Sequence, residues 1–91
     1  MPTIKIPTPL RPYTDGQNEI AVQGKTVGKA MNHLTDLYPT LRPHLFNPQD
    51  ELRPFVNLFL NGEDVRQLQN LETPLKENDK LLLIPSIAGG V

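Results

Sequence analysis

Residues 55–65 have the sequence Phe55-Val56-Asn57-Leu58-Phe59-Leu60-Asn61-Gly62-Glu63-Asp64-Val65. The first six residues are mostly aromatic or branched apolar residues, a composition typical of a β-strand. The Asn-Gly pair that follows is the strongest short signal for a hairpin turn. The stretch therefore predicts a strand that turns at residues 61–62 and returns through residues 63–65.

A second hairpin is predicted near the start of the chain. Apolar and polar residues alternate over Thr3-Ile4-Lys5-Ile6-Pro7 and again from Ile20-Ala21-Val22, with Asp15-Gly16 between them. Asp-Gly between two such runs favours a turn. Because proline cannot donate a ladder hydrogen bond, we expect the first strand to end at a sheet edge, a bulge or a loop, given Pro7, Pro9 and Pro12.

One helix is predicted between the two hairpins. Thr26 is a capping residue, and apolar side chains recur behind it at spacings of three and four: Val27, Ala30, Met31, Leu34 and Leu37. Pro39 ends this pattern. The helix is expected to run for about three turns with this apolar stripe in the core.

The last apolar run completes the predicted fold. Lys80-Leu81-Leu82-Leu83-Ile84 is apolar at every position after the lysine, so the strand is either buried on both faces or has one face that serves as a docking patch. Five strands and one helix in the order ββαββ plus a closing strand predict an α+β fold of the β-grasp type. We expect a domain over residues 1–85 and a flexible tail over residues 86–91.

Residues 39–54 are predicted to form a long connection stiffened by four prolines. The two histidines, His33 on the helix and His44 in this connection, have no third ligand at a recognisable spacing. We therefore expect solvated or hydrogen-bonded histidines and no metal site. No pattern of nucleophile, base or phosphate-binding glycines is evident either, so the chain is not expected to be an enzyme.

Composition excludes several other classes of partner. The 91 residues include nine basic and ten acidic side chains, for a net charge of −1, which does not favour nucleic acid or an anionic membrane. The absence of cysteine rules out disulfides and thiolate chemistry on side chains. No apolar run approaches the roughly 20 residues that span a bilayer, and the start lacks signal-peptide features, so a cytoplasmic protein is predicted.

Gly89-Gly90, near the carboxyl end of the sequence, carries the main functional signal. Two residues without Cβ atoms form the thinnest backbone that a chain can have, which suits insertion into another protein's active site. A terminal carboxylate is ionised at neutral pH and is a poor electrophile, so it must be activated before it can react.

The chain resembles the ubiquitin-like sulfur carriers of the ThiS/MoaD family, which have a mixed five-stranded sheet packed on one main helix. The shared stretches are residues 6–12 (Ile-Pro-Thr-Pro-Leu-Arg-Pro), the helix start at residues 26–28, residues 55–66, and residues 78–90 with their Ala-Gly-Gly end. It is most similar to the CysO-type carriers of cysteine biosynthesis. The resemblance is weakest over residues 39–54.

The resemblance implies a mechanism in which the last glycine carries sulfur. An E1-like enzyme uses ATP to adenylate Gly90, and a sulfurtransferase then supplies the sulfur of a thiocarboxylate. Gly89 gives clearance in the enzyme's channel, and Ser86, Ile87 and Ala88 form the extended lead. The carrier itself binds no cofactor, and a PLP-dependent cysteine synthase is the expected acceptor of sulfur, with molybdopterin synthase and thiazole synthase as alternatives.

Val91 departs from the functional form of the family, because the free carboxylate is that of Val91 and the Gly90 carbonyl lies in the peptide bond between them. A branched side chain beside the reacting carbonyl disfavours activation, so we expect Val91 to be removed. The family implies a JAMM-type metalloprotease for this step. An unspecific carboxypeptidase, or loss of the carrier function, are the alternatives.

An apolar patch for partner binding is also expected. If Val56, Leu58 and Leu60 face the helix, Phe55 and Phe59 face outward, and the ubiquitin-like alignment leaves Leu82 and Ile84 outward as well. Phe59, Leu82 and Ile84 would form the patch, and Glu63, Asp64 and Arg66 could supply its polar rim. Residues 39–54 or a second copy of the chain could instead cover it.

Two other classes of function are compatible with the sequence. A plain ubiquitin-like interaction module would not need Gly90 or the removal of Val91. A protein modifier would use the same activation chemistry but form an isopeptide bond between Gly90 and a lysine of another protein.

Overall fold

The computed structural model describes residues 1–85, which form one mixed sheet and two helices. The elements are β1 (Thr3–Lys5), β2 (Glu19–Ala21), α1 (Val27–Leu37), α2 (Arg42–Leu45), β3 (Val56–Leu60), β4 (Glu63–Asp64) and β5 (Lys80–Pro85), with short 3₁₀ turns between them. The strand order is β2-β1-β5-β3-β4. β1 and β5 are parallel and the other neighbours are antiparallel, so the predicted α+β β-grasp arrangement is confirmed. The predictions for residues 86–91 lie outside the described residues.

Strand β5 occupies the centre of the sheet, between β1 and β3. Its side chains alternate: Leu81 and Leu83 are buried in the core, whereas Leu82 and Ile84 are 39% and 40% exposed. The run that is apolar at every position is therefore not buried on both faces. One of its faces packs against the core, and the other presents apolar side chains to solvent.

Helix α1 supplies the other side of the core. The hydroxyl of Thr26 accepts a hydrogen bond of 3.2 Å from the backbone N–H of Lys29, which caps the helix as predicted. The predicted stripe is buried through Leu34, but Leu37 is 48% exposed, so its assignment to the core is wrong. The helix ends at Leu37, and the chain then turns into residues 39–41, where Leu41 is fully buried.

Residues 39–54 contain more regular structure and more buried side chains than the predicted connection. They contain α2, and Leu41, Leu45 and Phe46 are all buried in the core. Arg42 fixes this segment to α1, because one guanidinium nitrogen donates to the Thr35 hydroxyl at 2.9 Å and to Asn32 Oδ1 at 3.1 Å. The same guanidinium lies 4.4 Å from the centre of the Phe46 ring, a favourable cation–π distance.

The hairpin predicted near the start of the chain is present as β1 and β2, with a 3₁₀ helix between the two strands. The prolines lie in or directly before a 3₁₀ helix over Thr8–Thr14, which begins soon after β1 ends. Asp15 and Gly16 follow with φ of 55° and 79°, the left-handed values that Asp-Gly favours in turns.

Among residues 1–85, no helix has the length and apolar character needed to cross a membrane.

Candidate partner-binding face

The face of the sheet away from α1, here called the outer face, carries the three residues predicted to bind a partner. Phe59 lies directly opposite Leu82 across β3 and β5, and Ile84 lies opposite Asn57. Leu82 and Ile84 are among the most exposed large apolar side chains of residues 1–85. These three residues form the apolar patch, which occupies neighbouring positions of one face because side chains alternate along each strand.

Phe55 was expected on the outer face with Phe59, but the structure does not place it there. It lies in the turn before β3, is half-buried and packs against the hydrophobic core. Strand alternation therefore begins at Val56 and does not extend to Phe55. The half-buried Leu60 packs on the core side as predicted.

The patch is not covered by residues 39–54. The buried side chains of that segment join the core, whereas Leu82 and Ile84 keep about two fifths of their surface exposed. The alternative in which the segment covers the patch is therefore wrong. A patch left open in this way is typical of a surface that binds another molecule.

Charged residues border the patch on both sides. Lys5 and Glu19 continue the row of Phe59 and Leu82 across β1 and β2, and Asp64 ends the row on β4. A depression of about 360 Å³ lies along this row beside Leu82 and Phe59, with Lys5 and Lys80 in its wall. Lys80 Nζ is 3.9 Å from Glu19 Oε2 in an exposed pair, which contributes little to stability.

Of the residues predicted for the polar rim, Asp64 lies on the outer face, opposite Phe59. Glu63 pairs with Leu60, which packs on the core side of the sheet. The Arg66 guanidinium donates to the carbonyl oxygens of Val56 at 3.0 Å and Pro54 at 3.2 Å. Arg66 thus holds the start of β3 to the residues after β4.

Polar contacts hold β5 in place at both ends of the patch. Asp79, just before β5, accepts hydrogen bonds from the backbone N–H of Lys76 at 2.8 Å and from Asn61 Nδ2 at 3.2 Å. These bonds, the one from Lys76 first, lower the pKa of Asp79 below its ordinary 3.8. At the other end, Asn57 Nδ2 donates to the carbonyl oxygen of Ile84 at 3.2 Å. No sequence pattern pointed to Asn57 or Asp79 as site residues, whereas strand alternation over residues 3–5 could have located Lys5.

Strand β5 ends beside the apolar patch, at Pro85. Pro85 pairs with Val56 and follows directly after Ile84 of the apolar patch. The predicted sulfur-carrying Gly90, the tail residues Ile87, Ala88 and Gly89, and the residue predicted to be removed, Val91, lie outside the described residues. The patch therefore leads directly to the segment that carries the diglycine.

The two histidines make separate structural contacts. His33 Nδ1 accepts a hydrogen bond of 2.7 Å from the backbone N–H of Gln23, and the His44 ring lies 4.2 Å from that of Tyr13. Within residues 1–85, no group of three His, Cys, Asp or Glu side chains is arranged to hold a metal ion. The contacts of His33 agree with the expected hydrogen-bonded histidine.

Comparison with known proteins identifies the family. The ThiS family model matches residues 4–90. The Mycobacterium tuberculosis sulfur carrier protein CysO is 37% identical over 90 residues, which cover 97% of each chain. The crystal structure of the Amycolatopsis orientalis BexX/CysO complex has a matching chain with a TM-score of 0.89 and 32% identity, covering 99% of this chain and 100% of that one. The solution structure of small archaeal modifier protein 1 from Methanosarcina acetivorans matches with a TM-score of 0.87 and 33% identity over 98% of this chain and 95% of that one. The chain therefore belongs to the ThiS family of ubiquitin-like β-grasp carriers and resembles its CysO-type members.

Proposed function

We propose that this protein is a sulfur carrier in which Gly90, after removal of Val91, is converted to a thiocarboxylate that donates sulfur in cysteine biosynthesis. The observation that carries the proposal is the continuity of the apolar patch with the diglycine segment through β5. The family match supports it further, because it extends through Gly90 and does not include Val91.

The chemistry requires two steps at the Gly90 carbonyl. An E1-like enzyme joins the carboxylate to the α-phosphorus of ATP and releases pyrophosphate, which converts a poor electrophile into an acyl adenylate. The outer sulfur of a persulfide on the sulfurtransferase then attacks the acyl carbon and displaces AMP. A second thiol cleaves the resulting S–S bond, which leaves a thiocarboxylate on the carrier and a disulfide on the thiol side. The protein contributes a thin chain end and a docking surface, and ATP binds to the activating enzyme.

The partners follow from this sequence of steps. The apolar patch would dock the activating enzyme, and a JAMM-type metalloprotease would remove Val91. A PLP-dependent cysteine synthase would accept the sulfur by attack of the thiocarboxylate on an activated serine. The similarity to the CysO chain of the Amycolatopsis orientalis BexX/CysO complex supports docking of a partner protein. We place these ATP-dependent steps in the cytoplasm.

The intact mass of the protein, isolated from its own cells under mild conditions, tests the proposal. We expect a species that ends at Gly90 with one oxygen replaced by sulfur. Detection of only the chain ending at Val91, under sulfur demand and with the activating enzyme present, would contradict it. That result would favour a plain interaction module.

The requirement for Gly90 is tested in the form that ends at this residue. The Gly90→Ala variant should lose thiocarboxylate formation, because the added methyl group lies beside the reacting carbonyl in a narrow channel. Ser86→Ala is the matched control, since it changes the tail away from the reacting atom. Normal sulfur loading of Gly90→Ala would disprove the assignment.

A protein modifier is the second candidate, favoured by the 33% identity to small archaeal modifier protein 1. It would form an amide between Gly90 and a lysine amine of a target protein. Mass spectrometry of tryptic peptides from the same cells separates the two functions. Lysine residues that carry the carrier's C-terminal residues would indicate modification, and a free thiocarboxylate would indicate sulfur transfer. A molybdopterin or thiamine carrier would be distinguished by the acceptor enzyme to which the thiocarboxylate delivers sulfur.

A further inference from the structure

The tip of the β3–β4 hairpin consists of Asn61 and Gly62. Both residues are exposed and have positive φ values, 52° and 88°, as in the two-residue hairpin turns that Asn-Gly favours. Leu60 and Glu63 pair on either side of them. Asn61 is the one asparagine of the sequence that precedes a glycine, since the others all precede a residue with a side chain. The hairpin tip is therefore chemically different from the surroundings of the other asparagines.

The backbone nitrogen of Gly62 is open to reaction with the Asn61 side chain. An asparagine amide is thermolabile, because the next backbone nitrogen can attack its carbonyl carbon and close a five-membered ring. A side chain on the next residue hinders this attack, and glycine has none. Apart from the two chain neighbours, no residue has an atom within 4 Å of a Cβ built on Gly62. The backbone hydrogen bonds of the turns in residues 1–85 do not include the Gly62 N–H, so the nitrogen is neither shielded nor engaged.

The side chain of Asn61 also contacts the start of β5. Asn61 Nδ2 donates to Asp79 Oδ1 at 3.2 Å, and Asp79 Oδ2 accepts from the backbone N–H of Lys76 at 2.8 Å. These bonds, the one from Lys76 first, lower the pKa of Asp79 below its ordinary 3.8, so Asp79 carries a negative charge at neutral pH. The contact between the hairpin tip and β5 thus joins a neutral amide donor to a carboxylate.

We propose that Asn61 is a site of deamidation, in which attack by Gly62 leads to replacement of the neutral side-chain amide by a carboxylate. The Gly62 nitrogen loses its proton and bonds to Asn61 Cγ, the Cγ–Nδ2 bond breaks, and the released NH₂ group takes up a proton and leaves as ammonia. One water molecule then opens the cyclic imide. Addition of water at Cγ gives aspartate, and addition at the backbone carbonyl carbon gives isoaspartate. The proposal does not depend on sulfur chemistry.

Both products weaken the contact with β5. Aspartate lacks the amide donor of Asn61 and holds a carboxylate beside that of Asp79, where like charges repel each other. In isoaspartate the main chain runs through the former side chain, which adds a backbone carbon to a turn whose length sets the strand register. Phe59 of the apolar patch lies on this hairpin, and Asn61 and Gly62 line the depression beside Leu82. Deamidation therefore alters the border of the apolar patch.

Incubation of the folded full chain in H₂¹⁸O tests the site, at a mildly alkaline pH that favours loss of the Gly62 proton. We expect peptide mass spectrometry to place one ¹⁸O atom on residue 61, as aspartate or isoaspartate, while the other asparagines stay unchanged over the same period. Gly62→Ala is the matched control, because it keeps Asn61 but hinders the attack, and it should lose the reaction. Conversion of Asn61 no faster than that of the other asparagines, or equally fast in Gly62→Ala, would overturn the proposal.

The effect on the fold is tested with a substitution that imitates the aspartate product. Asn61→Asp should lower the urea concentration at the midpoint of unfolding. Addition of Asp79→Asn to this variant should restore most of the loss, because the pair again joins an amide to a carboxylate. An unchanged midpoint in Asn61→Asp, or equal midpoints in the single and double variants, would overturn the proposed weakening at Asp79. None of these measurements needs sulfur loading, so the proposed carrier function is judged by its own test.

Discussion

Phe59 and Leu82 face each other across β3 and β5 on the outer face of the sheet, and Lys5 extends their row on β1. The pair joins an apolar centre to a charged border, which is the composition of many protein interfaces. It also connects two segments that are far apart in sequence: the Asn-Gly hairpin and the strand that leads to the diglycine.

We predict that Leu82→Asp weakens binding to the activating enzyme, because a carboxylate would be desolvated at the centre of the interface. A loss of about 2 kcal/mol, roughly 30-fold in affinity, is typical of a central interface residue. Isothermal titration calorimetry would measure it. Leu37→Asp is the control, since Leu37 is also exposed but lies on α1. Equal affinities of the two variants would remove the apolar patch as a binding site.

The core role of residues 39–54 can be tested at Leu45, which is fully buried. Leu45→Ala should lower the free energy of unfolding by about 2–5 kcal/mol, through lost burial and the cavity that it leaves. Leu37→Ala, at a 48% exposed position, should change it by about 0.5 kcal/mol or less. Urea denaturation followed by circular dichroism gives both values. A small effect at Leu45 would mean that the segment is a surface connection after all.

Gly24 lies too close to α1 to accept a side chain. A Cβ atom there would be 2.6 Å from the Ala30 nitrogen and 2.9 Å from the Lys29 carbonyl carbon, and its φ is 152°. We expect Gly24→Ala to cost about 2–3 kcal/mol in unfolding free energy. Gly62→Ala should cost only about 1 kcal/mol. The φ of Gly62 is also positive, but apart from its two chain neighbours no residue has an atom within 4 Å of the added Cβ. Thermal unfolding would compare them, and a reversed order would refute the close contact.

Asp79 should make the fold sensitive to acid. Its hydrogen bonds lower its pKa in the folded state below the ordinary 3.8, so the unfolded carboxyl binds a proton first as the pH falls. The resulting stabilisation is present well above pH 3.8 and is lost as the pH falls through the lowered pKa. Asp79→Asn should therefore be less stable at neutral pH and lose less stability on acidification. Urea titrations at a series of pH values would measure both effects, and parallel curves for the two proteins would argue against them.

Periodicity and turn signals predicted the strands and α1, but only part of the apolar patch. Phe59 follows from strand alternation, whereas the outward positions of Leu82 and Ile84 followed from the resemblance to ubiquitin-like proteins, and Thr26 is a recognisable cap. The same rule failed at Phe55, because a turn precedes Val56, and at Leu37, because the last residue of α1 does not reach the core. Patterns locate the interior of an element better than its ends.

Residues 39–54 show a different limit. The four prolines suggested a connection without regular structure, yet Leu41, Leu45 and Phe46 contribute to the core. The helix α2 has only four residues, too few to show a helical period in the sequence. Arg42 depends on contacts with α1 that the local sequence does not reveal. The contact of Asp79 with Asn61, 18 residues away in sequence, is likewise not evident from the local sequence.

The central position of β5 would have a consequence for the enzymes of the proposed function. Leu82 and Pro85 lie on one strand, in which β1 and β3 both pair with Leu82 and β3 pairs with Pro85, and three residues of strand span about 10 Å. An enzyme that binds Leu82 would therefore find Pro85, the last residue of β5, at a set distance. Enzymes with unrelated chemistry would then need the same distance between the site that binds Leu82 and the reaction centre. The carrier would in this way set one dimension that all of these enzymes share.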